Sequence, residues 1–194
     1  MSKVFIGIPS KDSKIHARLV ETLLPQMRDH LFAIVAGISP VAHARNMLVD
    51  GFLKTDATHL WMVDDDTIPP KDALEKMLAV DADIVTAVTP IIRENKIVSN
   101  IYPDVGGKPL AMDTIHARAA KGERFTVAGA GASCILIKRA VIEKLAHPYF
   151  AEVWSEDGNF MTEDIFFGNV AQEEGFAITC IPSVVCGHAR TVVI

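Results

Sequence analysis

Four short apolar runs, "KVFIGIP", "LFAIVA", "THLWMVD" and "DIVTAVTPII", alternate with segments whose apolar residues recur at helical spacing, and few folds accommodate that alternation. Between the first two runs, Ile15, Leu19, Val20, Leu23, Leu24 and Met27 predict a helix that starts near Asp12. A second helix is expected from Ser39 as N-cap and Pro40 in the first turn, with Val41, Ala44, Leu48 and Phe52 on one face. "PPKDALEKMLAVDA" predicts a third, with Pro69 or Pro70 near its start. Runs this apolar suit strands covered on both faces, so the order predicts an α/β protein with a mostly parallel central sheet flanked by helices.

After Pro90 the alternation weakens. Arg93 to Glu123 reads as short strands and turns around Gly106 and Gly107, and "FTVAGAGASCILIKRAVIEKLAHP" as a strand with a glycine interruption followed by a helix. "MTEDIFFGNVAQEEGF" predicts a capped helix ending near Gly175, with strands "AITCIP" and "SVVCGHA" beyond it. No repeat or linker divides the 194 residues, so one domain is expected, with residues 1–90 as a nucleotide-binding half and 91–194 as a substrate-facing half.

The net charge of −5 argues against a polyanion as the main partner. Cys134, Cys180 and Cys186 lie in apolar runs without zinc-ligand spacing, which predicts buried free thiols. The N-terminal apolar stretch is shorter than a signal peptide and no segment approaches a membrane span, so a cytoplasmic chain without stable membrane insertion is expected.

The third run, "HLWMV", ends in Asp64, Asp65 and Asp66. In open α/β sheets the carboxyl ends of strands line the ligand crevice. Three carboxylates there repel one another unless a cation is shared, and magnesium or manganese suits oxygen ligands completed by substrate phosphates. Capping the following helix would need one aspartate, not three. An EF-hand is disfavoured because Ile68 and Pro69 stand where a ligand and a glycine belong, and neither a Walker loop nor a dinucleotide loop is present.

Four stretches in order, "IPSKD", "ARNMLVDGFLKTDATHLWMVDDD", "GAGASCILIKR" and "TEDIFFGNVAQEEGF" followed by "CGHAR", resemble the GT-A glycosyltransferases, especially the family 2-like enzymes that use nucleotide-diphosphate sugars. The resemblance implies a DXD motif with Asp64 and Asp66 at a Mn2+ or Mg2+ ion completed by His188, and with Asp64 or Asp65 near the ribose. It implies Asp164 as the general base of an inverting transfer and Glu163 beside it at the acceptor. Pro9, Ser10, Arg45, Asn46, Gly129, Ala130, Gly131 and Arg190 are expected around the donor, and Trp154 or Tyr149 could stack on a sugar. "AGIS" replaces the usual acidic residue after the second strand, so the resemblance names no nucleobase, and the acceptor could be glycan, protein, lipid or modified nucleic acid. The same carboxylates would serve a nucleotidyl or phosphoryl transferase. A non-catalytic module that binds sugar nucleotides or glycans would keep the fold without turnover.

Overall fold

The computed structural model describes residues 2–104, 106–154 and 158–189. In the first half the predicted alternation is present: β1 (Val4–Ser10), α1 (Ala17–Leu23), β2 (Leu31–Ala36), α2 (Val41–Leu53), β3 (His59–Val63), a short β4 (Thr67–Ile68), α3 (Ala73–Leu78) and β5 (Ile84–Val88). A hairpin of β6 (Pro90–Arg93) and β7 (Lys96–Ser99) follows, then β8 (Ile101–Tyr102), α4 (Met112–Ala120), β9 (Phe125–Val127), β10 (Gly129–Ala130), β11 (Cys134–Lys138) and α5 (Arg139–Lys144). The chain continues through β12 (Val153–Trp154), β13 (Phe160–Met161), α6 (Glu163–Glu173), β14 (Ile178–Val185) and β15 (Gly187–His188).

The main sheet has seven strands in the order β2-β1-β3-β11-β5-β14-β9. β1 pairs in parallel with β2 and β3, and β5 with β14, whereas β11 lies antiparallel between β3 and β5 and β9 lies antiparallel on β14. Five strands therefore point one way, and the sheet is mixed through β11 and β9. Alternate residues feed two cores. Val4, Ile6, Ile8, Trp61 and Val63 pack with Leu19, Leu23, Leu74 and Met77 of α1 and α3. Phe5, Leu60, Met62 and Ile137 pack with Leu48, Phe52, Val141, Ile142 and Phe167 of α2, α5 and α6 on the other face. Burial of both parities is what makes the strand sequences read as unbroken apolar runs.

Several boundaries differ from expectation. α1 begins after His16, whose side chain caps Arg18 N, and Val20, Leu24 and Met27 are exposed while Leu19 and Leu23 are buried. Pro40, rather than Ser39, is the N-cap of α2, and Asp72 precedes α3. α4 lies within the stretch expected to hold only strands and turns; it buries only Ile115, too little apolar periodicity to mark a helix. "AITCIP" and "SVV" form one strand, β14, broken in register but continuous in the chain. Cys134, Cys180 and Cys186 are buried free thiols, as expected. No helix among the described residues is long and apolar enough to cross a membrane.

Candidate active site

β3 delivers the aspartates to the carboxyl edge of the sheet, where Asp64 N–H donates to Ser133 O at 2.9 Å and Thr67 N–H returns to Asp64 O at 3.0 Å. That turn sets β4 against β15, pairing Thr67 with His188, and Ala189 N–H donates to Asp66 O at 2.8 Å. Residues far apart in sequence thus meet through one short antiparallel pair. His188 Nε2 lies 3.2 Å from Asp66 Oδ2, and its Nδ1 is 2.9 Å from Pro90 O. A carbonyl can only accept, so Nδ1 carries the proton, and in the neutral ring the Nε2 lone pair faces the carboxylate. With the ring protonated the contact is an ion pair, and with the ring neutral Nε2 is available as a metal ligand beside the carboxylate; a backbone carbonyl behind the ring is the usual way a metal-binding histidine is oriented.

Asp64 is turned the other way. Its Oδ1 accepts Arg45 Nη2 at 2.8 Å, while Arg45 Nε reaches Glu163 Oε1 at 3.2 Å and Nη1 reaches Ala132 O at 3.2 Å. The guanidinium also lies 5.9 Å from the Phe150 ring centre. Arg45 and Asn46, expected around the donor, lie off the apolar stripe of α2, where polar residues are usually solvated, yet both are buried, with Arg45 3% exposed. Burial opposes the charge of Arg45, but Asp64, Glu163 and Asp164 outweigh it and hold its pKa above the ordinary value. Burial lifts the Glu163 carboxyl, with Arg45 pulling against it. Burial likewise raises Asp64 to about 6, Arg45 opposing and Asp66 and Glu163 adding to the rise.

The shift of Asp64 has a measurable consequence in protein freed of metal. A carboxyl that holds its proton more tightly when folded stabilises the native state fully below its unfolded value of 3.8, and this contribution is lost as the pH rises through about 6. The melting temperature of the wild type should therefore fall relative to that of Asp64→Asn across this window. Parallel pH profiles for the two proteins in chelator would show that the burial is not felt.

Asp164 sits in the first turn of α6, whose N-cap is Thr162. Its Oδ1 accepts the Thr162 hydroxyl and, at 2.8 Å, Ile165 N–H. Its Oδ2 faces the β10–β11 connection, where a Cβ built on Gly131 would come within 3.4 Å. Arg45, Asp64, Gly131, Glu163, Asp164 and His188 all line one cavity of about 280 Å³. Tyr102, Thr162 and Ile165 are shared with a neighbouring cleft of about 450 Å³ that Gly129, Val153 and Phe160 also line. Asp65 and Asp66 border a third, open cleft of about 850 Å³ with Asp12, Lys14 and His16.

The remaining expected residues are less exposed to these spaces. Ser10 is buried, its hydroxyl donating to Lys14 O at 3.0 Å and accepting Lys14 N–H at 3.1 Å, and Pro9 is buried beside it. Asn46 spends its amide on backbone, donating to Ala42 O and Phe150 O and accepting Tyr149 N–H and Phe150 N–H, so it ties the chain after His147 to α2 instead of facing the cavity. Tyr149 packs in the core. Trp154 is 71% exposed and tilts against Phe160 across the β12–β13 hairpin at 5.0 Å. Ala130 is buried in the core, and Arg190 lies outside the described residues. Among the cavity residues that escaped the sequence reading are Thr89, Asn100 and Ser133. They lie at strand ends without periodicity to mark them, and although Ser133 falls within "GAGASCILIKR", only the glycines and Ala130 of that stretch stood out.

Among the described residues no three His, Cys, Asp or Glu side chains are gathered closely enough to hold a metal by themselves. Asp66 and His188 form a two-residue pair to which phosphate oxygens could add.

No curated protein matches the chain in a sequence comparison. Among solved structures, "A197 from STIV" superposes with a TM-score of 0.68 at 21% identity, covering 97% of this chain and 86% of that one. "GalNAc-T7 with UDP, GalNAc and Mn2+" superposes with a TM-score of 0.61 at 12% identity, covering 99% of this chain and 44% of the other. These likenesses establish the fold. The family model "Glycosyltransferase like family 2" matches residues 12–192. With nearly the whole chain inside that match and the mixed sheet of the GT-A fold beneath it, the protein belongs to the glycosyltransferase family 2-like enzymes and is a glycosyltransferase.

Proposed function

We propose that the protein transfers a sugar from a nucleotide-diphosphate sugar to an acceptor hydroxyl with inversion, using a divalent cation held by Asp66 and His188 and Asp164 as the general base. The observation that carries this reading is the pairing of His188 Nε2 with Asp66 Oδ2 at 3.2 Å, with Nδ1 already committed to Pro90 O, at a cavity that Asp164 also lines. The solved relative GalNAc-T7 holds UDP and Mn2+, which supports a similar donor and ion here.

Bound there, Mn2+ or Mg2+ would neutralise charge on the leaving diphosphate. The chain supplies the remaining chemistry. Asp164 fixes one carboxylate oxygen on Thr162 and Ile165 and turns the other toward Gly131 and the cavity, ready to take the acceptor proton. As the acceptor oxygen bonds to the anomeric carbon, the bond from that carbon to the diphosphate oxygen breaks and nucleoside diphosphate leaves. Arg45 holds Asp64 and Glu163 in place, which keeps the cavity wall charged and rigid without a mobile counter-ion. The cleft beyond Tyr102, with Phe160 and Val153 on its wall, suits the acceptor, whereas the open cleft beside Asp65 suits the nucleoside.

Thermal unfolding with UDP, GDP and their sugars, each with and without Mn2+, tests the assignment. At a ligand concentration near 100 times Kd the stabilisation is about 2.7 kcal/mol, or roughly 5–10 °C for a chain of this size. The shift should require nucleotide and metal together, and Asp66→Asn or His188→Ala should remove the metal-dependent part. A nucleotide shift indifferent to Mn2+, or one that survives in Asp66→Asn, would refute the metal assignment.

A further inference from the structure

A small polar cluster at the base of the cavity has a hydroxyl hydrogen left over. Asn100, 4% exposed, is oriented without ambiguity: Thr89 N–H donates to its Oδ1 at 2.8 Å, so its Nδ2 is the atom that donates to Gly131 O at 3.1 Å and Ser133 Oγ at 3.3 Å. Ser133 Oγ and Thr89 Oγ1 are 2.8 Å apart. Two hydroxyls bring two hydrogens, and their mutual bond consumes one. With Ser133 Oγ donating to Thr89 Oγ1, the sense that runs Asn100, Ser133 and Thr89 as one chain, the Thr89 hydrogen finds no acceptor among the described residues. Thr89 is 1% exposed and lines the same cavity as Asp64, Asp164 and His188. An unused donor on a buried hydroxyl costs stability, so a site that keeps one is matched to a ligand acceptor.

We infer that the Asn100–Ser133–Thr89 chain is a one-way hydrogen-bond relay that presents the Thr89 hydroxyl to an oxygen of the donor's sugar, making Thr89 a specificity-determining residue and Ser133 and Asn100 its positioning residues. This rests on the glycosyl-transfer reading. The cavity volume of about 280 Å³ accommodates a monosaccharide, and its lining includes the carboxylates of Asp64, Glu163 and Asp164, which accept. Thr89 therefore adds a neutral donor to a cavity that three carboxylates line. Gly131 keeps the relay in place: its N–H donates to Asn100 O at 2.9 Å and its carbonyl takes the Asn100 amide, while an added Cβ would press on Asn100 at 3.2 Å.

The test compares affinities for UDP and GDP with those for UDP-glucose, UDP-N-acetylglucosamine and GDP-mannose in Mn2+, in wild type, Thr89→Val, Thr89→Ser, Ser133→Ala and the Thr89→Val, Ser133→Ala double variant. Thr89→Val should weaken the preferred nucleotide sugar about tenfold, the worth of one hydrogen bond, while nucleoside diphosphate affinity stays within about twofold. Thr89→Ser should restore most of the loss. Ser133→Ala should weaken the sugar nucleotide about threefold alone and add nothing to Thr89→Val, a non-additivity that general loosening of the fold would not produce. If Thr89→Val loses nucleotide and nucleotide sugar equally, or loses only acceptor KM, or if Ser133→Ala costs as much in the Thr89→Val background as in wild type, the relay is refuted. A wild type that binds the nucleotide sugars and prefers one, with Thr89→Val and Thr89→Ser unchanged, refutes the relay while the glycosyl-transfer reading stands. A wild type that binds none of the nucleotides or sugars refutes both.

Discussion

Asp164→Asn is expected to lower kcat by about 10²- to 10⁴-fold, the usual worth of a positioned general base, with the Mn2+-dependent thermal shift by nucleotide unchanged. The substitution is nearly isosteric. Asn can still accept at Oδ1 from the Thr162 hydroxyl and from Ile165 N–H, the two contacts that fix the side chain at the start of α6. It changes the atom facing Gly131 from a carboxylate oxygen to an amide nitrogen, which cannot take a proton. A loss confined to turnover isolates the proton transfer, and single-turnover rates with saturating donor measure it directly. Wild-type turnover by Asp164→Asn would remove Asp164 from the base role, and Glu163 would be a poor substitute because its carboxylate is already held by Arg45 at 3.2 Å.

The second large effect is on stability. Arg45→Met should cost about 3–5 kcal/mol, because it deletes one member of a buried ion-pair group and strands Asp64 and Glu163 against each other. For a chain of this size that corresponds to a fall in Tm of roughly 6–20 °C. The carboxyl pKa values, raised by burial and held down by Arg45, should climb further, so the loss should be smaller in acid, where both carboxyls are protonated. Adding Asp64→Asn and Glu163→Gln to Arg45→Met should recover much of the stability, since no buried charge then lacks a partner. Urea unfolding at two pH values reads both effects. An Arg45→Met protein within about 1 kcal/mol of wild type would mean that water, not Arg45, balances the carboxylates.

Much of the first half of the chain was legible from sequence because its strands are buried on both faces and its helices bury one stripe, patterns that local sequence expresses directly. α4 was not, since a surface helix that buries only Ile115 leaves almost no periodic signal. The insertion of β11 between β3 and β5 was also invisible: "SCILIK" reads as a strand in any sheet, and its neighbours and direction come from pairing with residues some seventy and fifty positions earlier. The polar positions of α2 show the same limit more sharply. Arg45 and Asn46 lie off the apolar stripe, which says nothing of burial, but α6 and the segment ending at Phe150 close over them and make Arg45 the buried centre of the carboxylate group.

The sequence alone determined that Asp64, Asp65 and Asp66 end a buried strand at the carboxyl edge of an α/β sheet, because strand burial and charge are local properties. Only the tertiary structure decided how those carboxylates divide. The β4–β15 pair brings His188 to Asp66, and α2 brings Arg45 to Asp64, so neighbouring aspartates face different partners. It also assembled Thr89, Asn100 and Ser133 into one hydrogen-bonded cluster, from residues far apart in sequence. The physical reason is that hydrogen bonds and ion pairs act over a few ångströms in space, and distance along the chain says nothing of which groups the folded sheet will place within that reach.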